Sequence, residues 1–157
     1  MHSVLIVSLI ALQSFVVVFI ALHDWVPLGS LNNVIAVQSA DSKQKLVVVT
    51  LLSTLPFAVG LGGTIFYAGS RFPQWLYFYL WISYGSAIYG LIRAWWGPYL
   101  LYYDPARSVR YEAMFGGTHA FLPARNGIRP NTLHVSLHLV ILAVVANLAL
   151  LNVYRAG

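Results

Sequence analysis

The chain has 157 residues, of which 59% are hydrophobic and 8% charged, and its mean hydropathy is +0.74. A soluble domain carries about 25% charged residues, so this composition excludes a water-exposed fold and points to one integral membrane domain over residues 1–157. The net charge of +5 lies in loops beside apolar runs, where it reports membrane topology rather than nucleic-acid binding; the absence of cysteine excludes disulfides, thiol catalysis and thiolate metal sites.

The first apolar run predicts a membrane span over residues 4–23, since about 20 residues cross the hydrocarbon core. Met1-His2-Ser3 offers no fixed positive charge and His23-Asp24-Trp25 follows the run, so it reads as a retained helix rather than a cleaved signal. Residues 26–45 form a connection in which Val34, Ile35 and Val37 suit either a membrane-surface segment or a plain loop. The second span, 46–69, is charge-free. Its Pro56 predicts a kink, with Ser53 and Thr54 near enough to satisfy freed carbonyls, and Gly60, Gly62 and Gly63 predict close helix approach.

Ser70 to Pro73 allows only a tight turn before a third span over 74–96. Tyr77, Trp81, Gly85, Tyr89 and Arg93 share one face of this helix. Trp75, Trp95, Trp96 and Tyr99 read as an interfacial aromatic belt, and the mid-span Trp81 and Tyr84 each need a partner for a polar atom. Asp104-Pro105 reads as a helix N-terminus, with Asp104 capping and Pro105 in the first position, so residues 108–115 are expected as a short amphipathic helix. The following segment, with Gly116-Gly117, Pro123 and Asn126-Gly127, predicts an ordered loop. A fourth span over 131–154 opens after Pro130. The expected fold is therefore all-α and integral to the membrane: four antiparallel transmembrane helices, with a long ordered loop and a short amphipathic helix between spans three and four.

Lys43, Lys45, Arg93, Arg107, Arg110, Arg125 and Arg129 fall on one side of this arrangement, and Arg71 and Arg155 on the other. The positive-inside rule then places loops 24–45 and 97–130 in the cytoplasm and both termini outside, in a bacterial inner membrane. The same count gathers the ionisable groups at one end of the bundle. Asp24, Glu112, His119 and His134 are candidates for acid–base chemistry there; Arg93, Trp81, Tyr89, Arg125, Arg129 and Asn131 are candidates for ligand binding. Arg125 and Arg129 suit either an anionic ligand or headgroup anchoring.

His134 and His138 stand one turn apart, about 6 Å between side chains, which is the spacing of a helical metal pair. A single metal ion would need a third ligand from His119, Glu112 or Asp24. A haem is less favoured, because it would need His23 or His119 on the opposite face. Hydrogen bonding of both histidines within the bundle is the structural alternative. The pair resembles the helical His-x-x-x-His of membrane hydrolases of the adiponectin-receptor and alkaline-ceramidase type, a resemblance that implies zinc. Those proteins have seven spans and further Ser/His and Asp motifs with no counterpart here. Size and tryptophan content resemble the translocator family that binds porphyrins and sterols, but that fold has five spans and its Trp-Pro signature is absent.

The functional expectation is a site that binds a small amphiphile, isoprenoid, lipid or quinone-like, at the cytoplasmic end of the bundle, with binding alone and acid–base or metal-assisted transformation both open. An accessory or scaffolding subunit of a membrane complex is the alternative, packing through Gly60, Gly62, Gly63, Ser86 and Gly90. A homo-oligomer or a partner subunit would then complete it. An oligomeric transporter is disfavoured by the lack of charge within the spans.

Overall fold

Three helices set the environment of the molecule: Ser3–Leu22, Lys43–Phe66 and Thr132–Val153 are each long and apolar enough to cross a membrane. The computed structural model describes residues 2–156, with side chains for residues 3–153, and is all-helical without strands among the described residues. In chain order it contains α1 (His2–Leu22), α2 (Val34–Ala40), α3 (Lys43–Phe66) and α4 (Gln74–Leu91). From α4 the backbone passes through a π-helical turn (Ile92–Trp96) into α5 (Gly97–Leu100). Then come α6 (Pro105–Phe115) and α7 (Thr132–Ala156). α4 falls outside that group of three because its Gln74, tyrosines and tryptophans lower its mean hydropathy, although helical backbone continues from Gln74 to Leu100.

Local sequence accounts for the helix ends. Ser42 accepts the Lys45 N–H, so α3 begins at Lys43 rather than at Leu46; Asn33 caps α2 and Asp104 caps α6 with Pro105 in its first turn. Such caps satisfy backbone donors that a helix start leaves open. The Asn32 amide covers the His23 and Val26 carbonyls where α1 stops. The Arg155 side chain, counted above for topology, lies outside the described residues.

Each long helix packs on two others: α1 on α3 and α7, and α4 on α3 and α7. Leu9 and Val16 of α1, Leu76 and Leu80 of α4, and Ile141, Val144 and Leu148 of α7 form the shared core. Outward positions are apolar too, among them Val7, Leu52, Ile82 and Leu139, as lipid-facing helix surfaces must be. Gly60 and Gly63 serve this packing directly, because a Cβ there would come within 2.9 Å of Leu80 Cδ2 and 2.7 Å of Leu76 Cδ1. They are therefore spent on the α3–α4 contact, while Gly62 and Gly90 face open space. That corrects their reading as one surface for a partner chain. The helix runs unbroken through Pro56, whose carbonyl accepts the Tyr79 hydroxyl at 2.9 Å. Ser53 and Thr54 do not satisfy freed carbonyls as expected: the Thr54 hydroxyl is buried without a partner.

A cap of short elements covers one end. α2 packs on α6 with Val37 buried and Ile35 exposed, so its apolar face is held by protein. Asp41, at the end of α2, is joined to α6 through Arg110 and to α3 through Lys45, and both hold its carboxyl below the usual range. The expected ordered loop folds back over the bundle. Asn126 and Gly127 both have positive φ, 50° and 71°, the pattern of a type I′ turn. Arg125 and Ile128 exchange 2.9 Å hydrogen bonds across it. A Cβ on Gly127 would lie 2.7 Å from Tyr103 Cε2, so only glycine fits this approach. The turn presses Ile128, fully buried, against Trp95 and Tyr99.

Candidate functional site

The site is built on the irregular end of α4. In an α-helix the Ala94 carbonyl would bond the N–H of residue 98, but that residue is Pro98 and has none. The Gly97 N–H turns instead to the Ile92 carbonyl, which also leaves the Arg93 carbonyl without its usual donor. Buried carbonyls need partners, and α6 supplies them. Arg107 donates to the Arg93 and Ala94 carbonyls at 2.9 and 2.8 Å, and the Tyr111 hydroxyl donates to Ala94 at 3.0 Å. Burial pushes the Tyr111 hydroxyl up from its ordinary pKa, against the neighbouring Arg107. Asp104 holds Arg107 from the other side and is itself held low, first by the Arg107 backbone N–H. The close approach needs Gly97, where a Cβ would meet the Ile92 oxygen at 2.9 Å.

This register shift helps place Trp95 in the interior, where its ring lies 4.6 Å from His134 and 6.1 Å from His138 between centroids. Trp95 and Tyr99 are buried, so neither belongs to the aromatic belt assigned to them; Trp75 is exposed as that belt requires. Phe115 of α6 packs on His134 at 4.9 Å. His23, at the end of α1, meets His134 edge-on at 5.7 Å.

Hydrogen bonds fix the tautomers. Asn131 Oδ1 accepts the His134 backbone N–H, so it is the oxygen, and it lies 2.7 Å from His134 Nδ1. That nitrogen carries the proton, and neutral His134 presents Nε2 as an acceptor. His23 Nδ1 donates to the Phe19 carbonyl at 3.0 Å, which turns Nε2 toward Asp24 Oδ1 at 3.2 Å. Burial raises the Asp24 carboxyl above its usual range, opposed by His23. Both ring nitrogens of His138 are buried without a partner, an arrangement that costs stability unless another group reaches them.

The remaining candidates lie elsewhere. Glu112 and His119 are exposed, and His119 bonds to Thr132 Oγ1 at 2.7 Å, which ties the loop to α7. Arg93 is exposed and pairs with neither Asp24 nor Glu112 among the described residues. Arg125 and Arg129 are on the outside of the loop; Arg129 bonds the Ala120 carbonyl. Trp81 and Tyr89 face outward from α4. Tyr84, by contrast, is fully buried, with its hydroxyl turned to the Gln13 amide but outside ordinary hydrogen-bond geometry. Among the described residues no three His, Asp or Glu side chains are grouped to hold a metal ion, so His134 and His138 gain no third ligand from Glu112, His119 or Asp24.

Two apolar clefts open near this cluster, one beside His23 and one against Trp95. One, of about 250 Å³, is lined by Phe15, Phe19, Leu22, Val26, Leu133 and His23. The larger, about 520 Å³, lies between α3 and α4, with Leu137 and Ile141 at its floor and Trp95 at its end. It opens beyond the Tyr79–Pro56 bond, where the glycine-mediated contact of the two helices ends. Ser53, Ser83 and Ser86 line it. These sequence positions gave no signal of a site, because three serines on two helices become neighbours only through packing.

The chain gives no match to known protein-family models, to curated proteins or to solved structures.

Proposed function

We propose that this protein crosses the membrane four times and binds a small amphiphile, isoprenoid, lipid or quinone-like, in the cleft between α3 and α4. One observation carries the reading: a cleft of about 520 Å³, within the range of small-molecule sites, ends on a tryptophan packed against two histidines. Four spans are supported by the unbroken helical backbone from Gln74 to Leu100. An antiparallel order is supported by two contacts between α1 and α7, Asn147 with Ser8 and His134 with His23. The basic loops favour a cytoplasmic position for the capped end.

No acid or base lines the cleft, so the reading is one of binding: His134 packs on Trp95 and His23 rather than facing the ligand, and Glu112 and His119 are exposed on the cap.

Native mass spectrometry of the protein extracted from its membrane tests the reading. The wild type is expected to carry one small lipid-like adduct, and Ala87→Phe, which fills the cleft, to lose it while remaining folded. An adduct retained in Ala87→Phe, or none in the wild type, contradicts the assignment.

A further inference from the structure

The chemistry of the cleft defines the class of its ligand. No Lys, Arg, His, Asp or Glu lines it. The cations that the sequence offered for an anionic headgroup are engaged or turned away: Arg107 is held by Asp104 and two carbonyls, while Arg125 and Arg129 face outward on the cap. An ionised head placed here would lose its hydration without gaining a counter-charge, which is strongly unfavourable.

What the cleft does offer is three hydroxyls. Several serine and threonine hydroxyls in the helices turn back to their own backbone, as Ser8 does to Leu5, Thr64 to Gly60 and Ser136 to Thr132. Ser53, Ser83 and Ser86 line the cleft and make no such bond. A hydroxyl both donates and accepts, so a cluster of them suits a neutral alcohol, phenol or carbonyl. Small neighbours, Ala87 and Gly90, leave room for a chain beside them.

Resting on the ligand-binding reading above, we infer that the occupant is an uncharged single-chain amphiphile whose polar group bonds the Ser53, Ser83 and Ser86 hydroxyls. Phosphate-headed and carboxylate-headed lipids are discriminated against. The tail extends along the apolar walls of α3 and α4, and the head sits within the membrane rather than at its surface.

Farnesol and farnesyl phosphate share one chain and differ only in the head, so they separate the terms. Their affinities would be measured by tryptophan quenching on the full chain in detergent, for the wild type, Ser83→Ala and Ser86→Ala. The expected result is farnesol bound at least tenfold more tightly than farnesyl phosphate. Each serine variant should weaken farnesol by roughly three- to tenfold, the worth of one hydrogen bond, and leave the phosphate unchanged. Tighter binding of farnesyl phosphate overturns the neutral-head inference while leaving the cleft a ligand site. Binding of neither probe overturns both. A stable dimer that Ala87→Phe converts to monomer, with no probe bound, would identify the cleft as a helix–helix interface between copies.

Discussion

Asn131 Oδ1 binds His134 twice, at its backbone N–H (3.0 Å) and at ring Nδ1 (2.7 Å). One side chain thus starts α7 and selects the tautomer of the histidine that faces His23 and Trp95. Asn131→Ala removes both bonds. It should cost about 1–2 kcal/mol, as loss of a helix cap does, and release the imidazole to exchange tautomers. Asn131→Asp keeps an acceptor in place and should retain Nδ1 protonation, read from the ¹⁵N shifts of His134. An unchanged tautomer in Asn131→Ala would mean that packing by Trp95 and Phe115 sets it instead.

The π turn makes a prediction about backbone register. Gly97→Ala forces a Cβ to within 2.9 Å of the Ile92 carbonyl, a backbone atom that cannot yield cheaply, and should destabilise by roughly 1–3 kcal/mol. Pro98→Ala restores an N–H that the Ala94 carbonyl can use, so the turn should relax toward α-helix and move Trp95. Denaturation in detergent and tryptophan emission report the two effects. Wild-type emission in Pro98→Ala would show that Arg107 and Tyr111, not Pro98, maintain the turn.

Acid should act on the cap and on the end of α1 in opposite senses. Asp41 and Asp104 titrate below the usual carboxylate range in the folded state. Their stabilisation is present above the unfolded value of about 3.9 and is lost as pH falls through the lower folded values. Asp24 titrates above its usual range. Its contribution is present below about 3.9 and is lost as pH rises through the folded value. Asp24→Asn should therefore abolish the part of the melting profile that declines with rising pH, and Asp41→Asn the part that declines on acidification. Profiles of the two variants that match wild type at every pH would remove both assignments.

The absence of cysteine allows topology to be read from single substitutions. Ser70→Cys, in the turn between α3 and α4, should react with an impermeant maleimide added outside intact cells. Ala40→Cys, at the end of α2, should react only after permeabilisation. The reverse pattern would invert the orientation taken from the basic loops.

The apolar runs, the Asp104 cap and the loop's tight turn were legible in the sequence because each rests on neighbouring residues: Asp104-Pro105 spelled the start of α6, and Asn126-Gly127 the turn in the loop after it. The candidate site was legible only in part. Asp24, Asn131, His134 and His138 converge as the order of spans implied, but spacing could not show that Glu112 and His119 would face outward on the cap. Nor could it reveal the role of Arg107, which follows from the carbonyls that Pro98 and the π turn leave open. Trp95 reads as interfacial from its place beside a basic residue, and the same turn carries it inside. The glycines pointed correctly to close helix approach, yet their partner was α4 of the same chain, a matter of tertiary packing.

The proposed occupancy of the α3–α4 cleft by a small amphiphile can be read at one position. Its most direct test is the alkylation rate of Ser86→Cys in detergent with and without farnesol, with Gly62→Cys, on an open face of α3, as the reference. Farnesol is predicted to slow modification at position 86 at least fivefold and leave position 62 unchanged. Equal rates at position 86 with and without saturating farnesol would contradict the claim.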